Sequence, residues 1–166
     1  MLFLIDSSAV LNDFSFEFRP GHAYITTPII IGEFRDMRSR LLMENALSQR
    51  ILSLQEPEKE TLEQAGTLVR SKGFDRLSEA DLSLLALALD LKKQGRDFIL
   101  LTDDYSIQNF AKMLKIPFEA AIRGKIGKEI SFSLKCPACG RKMPPCSNAK
   151  KCPDCGSSLR RKKQEN

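Results

Sequence analysis

The chain has 166 residues, of which 42% are hydrophobic and 28% are charged, a composition typical of a soluble globular protein. That length accommodates one ordinary domain and a small appendage. No apolar stretch is long enough to cross a membrane, and the initial MLFLI is too short, and too soon followed by Asp6, for a signal peptide, so we expect a cytoplasmic protein without a membrane partner.

The net charge of +5 is unevenly distributed along the chain. Residues 1–122 contain 14 Lys and Arg against 18 Asp and Glu, a net charge of −4, whereas residues 123–166 contain 12 against 3, a net charge of +9. A strongly basic segment is expected to bind a polyanion. The two parts of the chain are therefore predicted to perform different tasks.

The first part alternates between apolar runs and helical patterns, which favours an α/β sandwich with a mostly parallel central sheet and right-handed crossovers. In chain order, the sequence predicts a strand at 2–5, a strand at 23–26, a helix from Pro28 to about Gln49, a strand at 51–54, a helix from Pro57 to about Gly73, a helix at 78–94, a strand at 98–102, a helix at 105–114 and a strand at 118–122.

The helix at 78–94 is predicted to be buried, because between Leu82 and Leu91 almost every residue is apolar. Ser78 is expected to be its N-cap, which puts Asp81 at the third helical position. That spacing alone is explained by a capping box, in which Asp81 only stabilises the start of the helix.

Single acids also follow or flank the other apolar runs: Asp6, Glu33, and the pair Asp103 and Asp104. Ligands of parallel sheets collect at the carboxyl ends of the strands, so these acids and Asp81 are candidate catalytic residues at one edge. Clustered carboxylates repel one another unless a cation binds, and oxygen ligands suit Mg²⁺ or Mn²⁺. One ion or two would activate water and stabilise a phosphodiester during hydrolysis. The alternative for Glu33 is an ordinary solvated glutamate on the second turn of its helix.

Ribonucleases that use the 2′-hydroxyl as nucleophile usually need histidines as acid and base. The chain has one histidine, His22, which we expect in a surface loop. Metal-dependent hydrolysis, leaving 5′-phosphate and 3′-hydroxyl ends, is therefore favoured.

Four stretches, LFLIDSSAVL, IGEF, LSEADLSLLALAL and LLTDDYSIQN, resemble the acidic blocks of PIN-domain nucleases. The resemblance covers about residues 1–122 and implies a PIN-like three-layer sandwich with Asp6, Glu33, Asp81 and Asp104 as ligands of Mn²⁺ or Mg²⁺. The last block of that family often has threonine two residues before the acid, which favours Asp104 over Asp103, and both are kept as candidates.

Two CPxCG motifs, at 136–140 and 152–156, predict a zinc ribbon at 130–159 after a basic linker at 123–129. Four thiolates form a closed tetrahedral zinc site, and so small a unit depends on its metal to fold. The predicted zinc ligands are Cys136, Cys139, Cys152 and Cys155, and Cys146 is a bystander by its spacing.

Basic residues surround the cysteines and continue into a predicted basic tail at 160–166. We expect them either to form a solvated surface or to contact RNA phosphates, which gives salt-dependent affinity without sequence information. Because Phe132 is the only aromatic residue after Phe118, contact with the RNA backbone is favoured over contact with splayed bases. The candidate RNA-binding residues are Arg141, Lys142, Lys150, Lys151, Arg160 and Arg161.

A PIN-like domain followed by a CPxCG ribbon is similar to the Nin-one-binding family of ribosome-assembly endonucleases in its short, archaeal form. This resemblance implies cleavage of single-stranded RNA at the 3′ end of the small-subunit ribosomal RNA precursor, with the immature small subunit and other assembly factors as partners. The alternatives are a PIN-type toxin ribonuclease, which ordinarily has no ribbon, and a non-catalytic RNA-binding assembly factor, which would have lost one of the acids.

Overall fold

The structure is a computed structural model that describes residues 1–73, 77–121, 130–143 and 149–165, without the side chains of 130–133 and 161–165. The predicted linker at 123–129 and Cys146 therefore lie outside the described residues.

The first part of the chain forms one parallel sheet covered by helices, as the sequence predicts. Its elements are β1 (Leu2–Ile5), α1 (Ser7–Leu11), β2 (Ala23–Thr26), α2 (Pro28–Ile31), α3 (Met37–Ser48), β3 (Leu52–Leu54), α4 (Lys59–Ser71), α5 (Glu79–Lys93), β4 (Phe98–Leu101), α6 (Tyr105–Met113) and β5 (Phe118–Glu119). The strand order is β3-β2-β1-β4-β5, and every pairing is parallel. The α/β sandwich with a mostly parallel central sheet is confirmed.

The strand order places a topological switch point between β1 and β4. The chain proceeds from β1 outward through β2 and β3, and then returns to the other side of β1 to form β4. Leu2 is therefore opposite both Ala23 and Phe98. Crossovers that leave in opposite directions open a crevice beyond the carboxyl ends of the two central strands. The residues directly after β1 and β4 are placed at this crevice.

The core lies on both faces of β1 and around α5. Leu4 and Ile5 are fully buried, and so is every residue of α5 from Leu84 to Ala88. A strand that is apolar on both faces and a helix that is apolar on nearly all sides fit only in this interior position. Within the described residues, none of the helices combines the length and apolar character needed to cross a membrane.

The predicted helix from Pro28 to about Gln49 is wrong as one element, because the chain forms two helices there. Gly32 ends α2, and its N–H bonds back to helical carbonyls. Asp36 then begins α3 by accepting a hydrogen bond from the backbone N–H of Ser39 at 2.8 Å. An Asp N-cap competes effectively with continuation of a helix. Glu33 consequently lies in the connection between α2 and α3 and not on the second turn of a long helix.

The second part of the chain forms a three-stranded antiparallel sheet. Its strands are β6 (Ile130–Lys135), β7 (Lys142–Met143) and β8 (Arg160–Glu165), in the order β7-β6-β8. Residues 160–165 of the predicted basic tail form a strand, since β8 pairs with β6 from Lys135↔Arg160 to Ile130↔Glu165. Pairing along a neighbouring strand satisfies the backbone N–H and C=O groups of this segment.

Candidate functional site

Asp6 lies at the switch point, buried to 3% exposure directly after β1. Its Oδ2 accepts hydrogen bonds from the hydroxyls of Ser8 and Thr102, the latter at 2.7 Å. Those hydroxyls in turn accept from the backbone: the N–H of Asp103 donates to Ser8 Oγ at 2.9 Å, and that of Asp104 donates to Thr102 Oγ1 at 3.1 Å. Each hydroxyl oxygen accepts from a backbone N–H and has one proton of its own to donate. In this arrangement both of these protons are donated to Asp6.

The same burial makes Asp6 hard to ionise without a cation. Burial raises the pKa of Asp6 to about 6, the hydrogen bonds from Ser8 and Thr102 oppose the rise, and the charges of Asp81 and Asp104 add to it. A nearby divalent cation favours the charged form of such a carboxylate. Asp6 is thus suited to hold a cation near neutral pH, where the cation competes with a proton.

Glu33 is brought to the same edge by a hydrogen bond from the side chain of Ser7. The Ser7 hydroxyl donates to Glu33 Oε2, and Ser7 directly follows Asp6 in the chain. This contact crosses from the start of α1 to the connection between α2 and α3. Because α2 ends at Gly32, Glu33 lies in a connection, from which it accepts the hydrogen bond of Ser7.

Asp81 forms the predicted capping box and also lies close enough to the other acids to be affected by their charges. The capping box is present: the backbone N–H of Ser78 donates to Asp81 Oδ2 at 2.7 Å, and that of Asp81 donates to Ser78 Oγ at 3.1 Å. The pKa of Asp81 is nevertheless raised, first by burial and then by the charges of Asp104 and Glu33, while the bonds with Ser78 oppose the rise. Asp81 therefore caps α5, and its pKa is also raised by the charges of Asp104 and Glu33.

Asp104 is the N-cap of α6, where its Oδ1 accepts from the backbone N–H of Ser106 and, at 3.3 Å, from that of Ile107. Its charge adds to the rise in the pKa of Asp6 and of Asp81. Asp104 therefore lies near both of these acids.

The four acids Asp6, Glu33, Asp81 and Asp104 form an open arrangement, which we call the acid edge. Among the described residues, only the cysteines have three or more ligand atoms that all lie within 4.8 Å of one another, so the carboxylates are spread more widely. Mg²⁺ usually keeps several of its waters and binds to proteins through few carboxylates. An all-oxygen set of this kind is suited to a hard divalent cation that keeps part of its water.

The four cysteines predicted as zinc ligands form a compact cluster. Their sulfurs lie within 4.8 Å of one another, with 3.3 Å between Cys136 and Cys155 and 3.5 Å between Cys139 and Cys152. A tetrahedral zinc site with Zn–S distances of about 2.3 Å separates its sulfurs by roughly 3.8 Å. The cluster therefore fits a zinc ion.

Both CPxCG motifs fold into the same turn. The N–H of Cys136 donates to the carbonyl of Arg141 and the N–H of Cys152 to that of Ser157, each at 2.8 Å. The closing glycines have positive φ values, +78° at Gly140 and +71° at Gly156, which residues with a Cβ rarely adopt. Hydrogen bonds from Ser157 lower the pKa of Cys155 to about 6, which favours its thiolate.

The candidate RNA-binding residues differ in the contacts that their side chains make. Arg141 forms an ion pair with Asp154 of the other motif and so links the two turns. The side chain of Arg161 lies outside the described residues. All five whose side chains are described are exposed to solvent: Arg141, Lys142, Lys150, Lys151 and Arg160.

Sequence reasoning did not identify the supporting hydroxyls Ser7, Ser8 and Thr102. The signal was present in the stretches IDSS and LTDD, in which hydroxyl residues stand beside the acids. His22 lies in a loop, as expected, but its ring packs at 5.3 Å from that of Phe3 and its Nδ1 is buried, so it is less exposed than predicted. It directly precedes β2, at the edge opposite the acids.

Comparison with known proteins extends these observations. A family model described as the PIN domain of ribonuclease matches residues 3–91. Endoribonuclease Nob1 of Pyrococcus abyssi is 36% identical over 158 residues, covering 95% of this chain and 91% of that protein. Endoribonuclease Nob1 of Methanothermobacter thermautotrophicus is 32% identical over 164 residues, covering 98% and 94%. Ribonuclease VapC1 of Thermoplasma acidophilum is 29% identical over 162 residues, covering 97% and 78%.

Proposed function

The chain belongs to the PIN-domain ribonucleases and, among them, to the family of the Nob1 endoribonucleases, and on that premise we propose that it is a metal-dependent endoribonuclease that matures small-subunit ribosomal RNA. The observation that supports this most directly is the convergence of Asp6, Glu33, Asp81 and Asp104 at the switch point of a parallel sheet. We propose these four acids as the ligands of Mn²⁺ or Mg²⁺.

The residues of the chain prepare this edge for hydrolysis of a phosphodiester. When bound, a divalent cation supplies an activated water and stabilises the charge that develops on the phosphate. Ser8 and Thr102 hold one oxygen of Asp6 with two O–H donors, which fixes the carboxylate. Ser7 holds Glu33 on the same side. Hydrolysis of this kind leaves a 5′-phosphate and a 3′-hydroxyl.

The second part of the chain is proposed to be a zinc ribbon that adds affinity for RNA. Its cysteine cluster suits a structural zinc ion, and its exposed lysines suit contacts with phosphates. The proposed substrate is the single-stranded region around the mature 3′ end of the small-subunit precursor, within the immature subunit. We propose residues 1–122 as the nuclease domain and place the ribbon after the linker at 123–129, with β8 as part of it.

The two alternatives are less well supported. Identity is higher with the two Nob1 proteins than with ribonuclease VapC1, over matches of similar length. A non-catalytic assembly factor would have lost one of the acids, and all four are present.

The test is cleavage of a precursor fragment that spans the mature 3′ end, by the purified protein with Mn²⁺ or Mg²⁺, followed by mapping of both product ends. We expect one principal cut with a 5′-phosphate on the downstream product. The matched pair Asp104→Asn and Asp103→Asn should differ, with the greater loss for Asp104→Asn. The absence of metal-dependent cleavage, or products with 2′,3′-cyclic phosphates, would contradict the proposal.

A further inference from the structure

An exposed aromatic ring stands beside an apolar depression on the first part of the chain. The side chain of Phe14 is 84% exposed, that of Met37 79% and that of Leu41 51%. Together with Phe16 and Arg38 these residues line a cavity of about 700 Å³, which we call the Phe14 groove. Large apolar side chains with this exposure mark a binding surface more often than an ordinary solvated one.

Phe14 is held in place although most of its ring is open to solvent. The guanidinium of Arg38 stacks at 5.5 Å from the centre of the Phe14 ring. Its Nη2 also donates to the carbonyls of Phe14 and, at 3.3 Å, of Asp13, so the loop is tied to α3. A planar cation on an aromatic ring is a favourable pair, and an aromatic ring with an open face is the usual platform for a nucleobase.

Two depressions that share lining residues extend from the Phe14 groove to Gly32, the residue before Glu33. A depression of about 440 Å³ begins at Gly32, directly before Glu33, and is lined by Arg35 and Arg40. The same two arginines line a further depression together with Met37 and Leu41 of the Phe14 groove.

The arginines on this surface are available to phosphate. Arg40 is only loosely paired, at 3.9 Å from Glu44, with both side chains more than half exposed. Exposed pairs of this kind contribute little, so a phosphate can displace the carboxylate.

We infer that the surface from Gly32 to Phe14 binds the single-stranded RNA that extends from the acid edge, with phosphates at Arg35 and Arg40 and one base stacked on Phe14. This rests on the proposed function, because it takes RNA as the substrate. Three arginines, Arg35, Arg38 and Arg40, outnumber the two glutamates, Glu17 and Glu44, that line these depressions, and this excess of positive charge favours RNA over a protein partner. The ribbon offers little for stacking, since the sequence has one aromatic residue after Phe118. The groove would therefore hold a base while the ribbon holds phosphates.

The test measures binding of fluorescent single-stranded RNA to the full chain, without divalent cations, by Phe14→Leu and Phe14→Trp. Phe14→Leu keeps an apolar side chain and removes the ring, so affinity should fall by roughly 5- to 100-fold, the range expected for one stacked base. Phe14→Trp should retain affinity. Leu62→Ala, which truncates another exposed apolar residue on α4, is the matched control and should bind like the wild type.

Abasic RNA identifies the stacked position. In a series of probes that each lack one base, the wild type should bind more weakly when the base at one particular position is missing. Phe14→Leu should bind that probe as tightly as it binds the intact RNA. Thermal melting checks that Phe14→Leu remains folded, as expected for so exposed a residue.

The inference is overturned if Phe14→Leu binds every probe as tightly as the wild type does. It is also overturned if the affinity of Phe14→Leu falls by the same factor with each abasic probe. Either result would favour a protein partner for the groove. Failure of the wild type to cleave RNA with Mn²⁺ would instead count against the proposed function, so the two failures are distinguishable.

Discussion

Replacing Asp81 with Asn separates the capping role that the structure shows for this side chain from the proposed role in metal binding. As a member of the capping box, Asp81 needs only an oxygen that accepts from the N–H of Ser78 at 2.7 Å. As a member of the acid edge, it needs its negative charge. Asn keeps the size and one oxygen but loses the charge, whereas Ala loses both.

The cost to stability should be small for Asn. Losing a negative charge at the start of α5 costs about 0.3–1 kcal/mol. The loss is partly offset, because the charges of Asp104 and Glu33 no longer repel this position. A destabilisation of about 1 kcal/mol lowers the melting temperature by roughly 2–4 °C in a chain of this length. Asp81→Ala also removes the acceptor for Ser78, which adds about 0.5–1.5 kcal/mol.

The cost to activity should be much larger. Mutating a residue that only supports a metal ligand costs about 10- to 100-fold, so loss of a ligand carboxylate should cost at least about 100-fold. The measurements are single-turnover cleavage in Mn²⁺ and thermal melting of both variants. The double variant Asp6→Asn with Asp81→Asn should be little worse than either single one, because the acids act as one unit. Cleavage by Asp81→Asn at the wild-type rate would refute this reasoning and leave Asp81 as a helix cap alone.

Three further predictions concern the protonation of Asp6, the zinc content of the chain and the salt dependence of RNA binding. Since the pKa of Asp6 is raised to about 6 from 3.8, the folded protein without metal holds this proton more tightly than the unfolded chain does. The free energy of unfolding should therefore fall by roughly 3 kcal/mol as the pH rises from about 3 to 7, with about 2 kcal/mol of that loss between pH 4 and 6, and Asp6→Asn should flatten this slope in urea titrations. Elemental analysis should find about one zinc per chain, and Cys136→Ser should lower that content and leave the melting of the nuclease part unchanged. The double variant Lys150→Ala with Lys151→Ala should reduce the slope of log affinity against log salt for single-stranded RNA by about 1.4, and an unchanged slope would place the phosphate contacts elsewhere.

The parallel sheet could be predicted from the sequence because its strands are short apolar runs followed by polar turns. The adjacency of β1 and β4 could not, since the two strands are nearly a hundred residues apart and either could have paired elsewhere. The roles of Ser8 and Thr102 depend on that adjacency. Their hydroxyls converge on Asp6 only once the two strand ends lie side by side.

The break between α2 and α3 follows two local signals in the sequence. Gly32 is a residue that often ends a helix, and Asp36 is one that often begins a helix. The prediction of one helix from Pro28 to about Gln49 did not use either signal. The strand β8 was missed for a different reason. Its sequence RRKKQE shows no alternation of apolar and polar residues, and it becomes a strand because β6 provides a backbone to pair with.

The two proposed metal sites should differ in how they depend on their ions. At the acid edge, Asp81 and Asp104 accept hydrogen bonds from the first N–H groups of α5 and α6, so positive helix ends offset part of the repulsion between carboxylates. The sheet beneath is held by its own buried core and does not need a cation to form. In the described residues of the ribbon, the two buried cysteines have no residue of the hydrophobic core cluster around them, so we expect its turns and its sulfur cluster to gain their stability together from zinc. A chelator that removes the catalytic cation should therefore stop cleavage without unfolding the nuclease part, whereas one strong enough to remove zinc should unfold the ribbon.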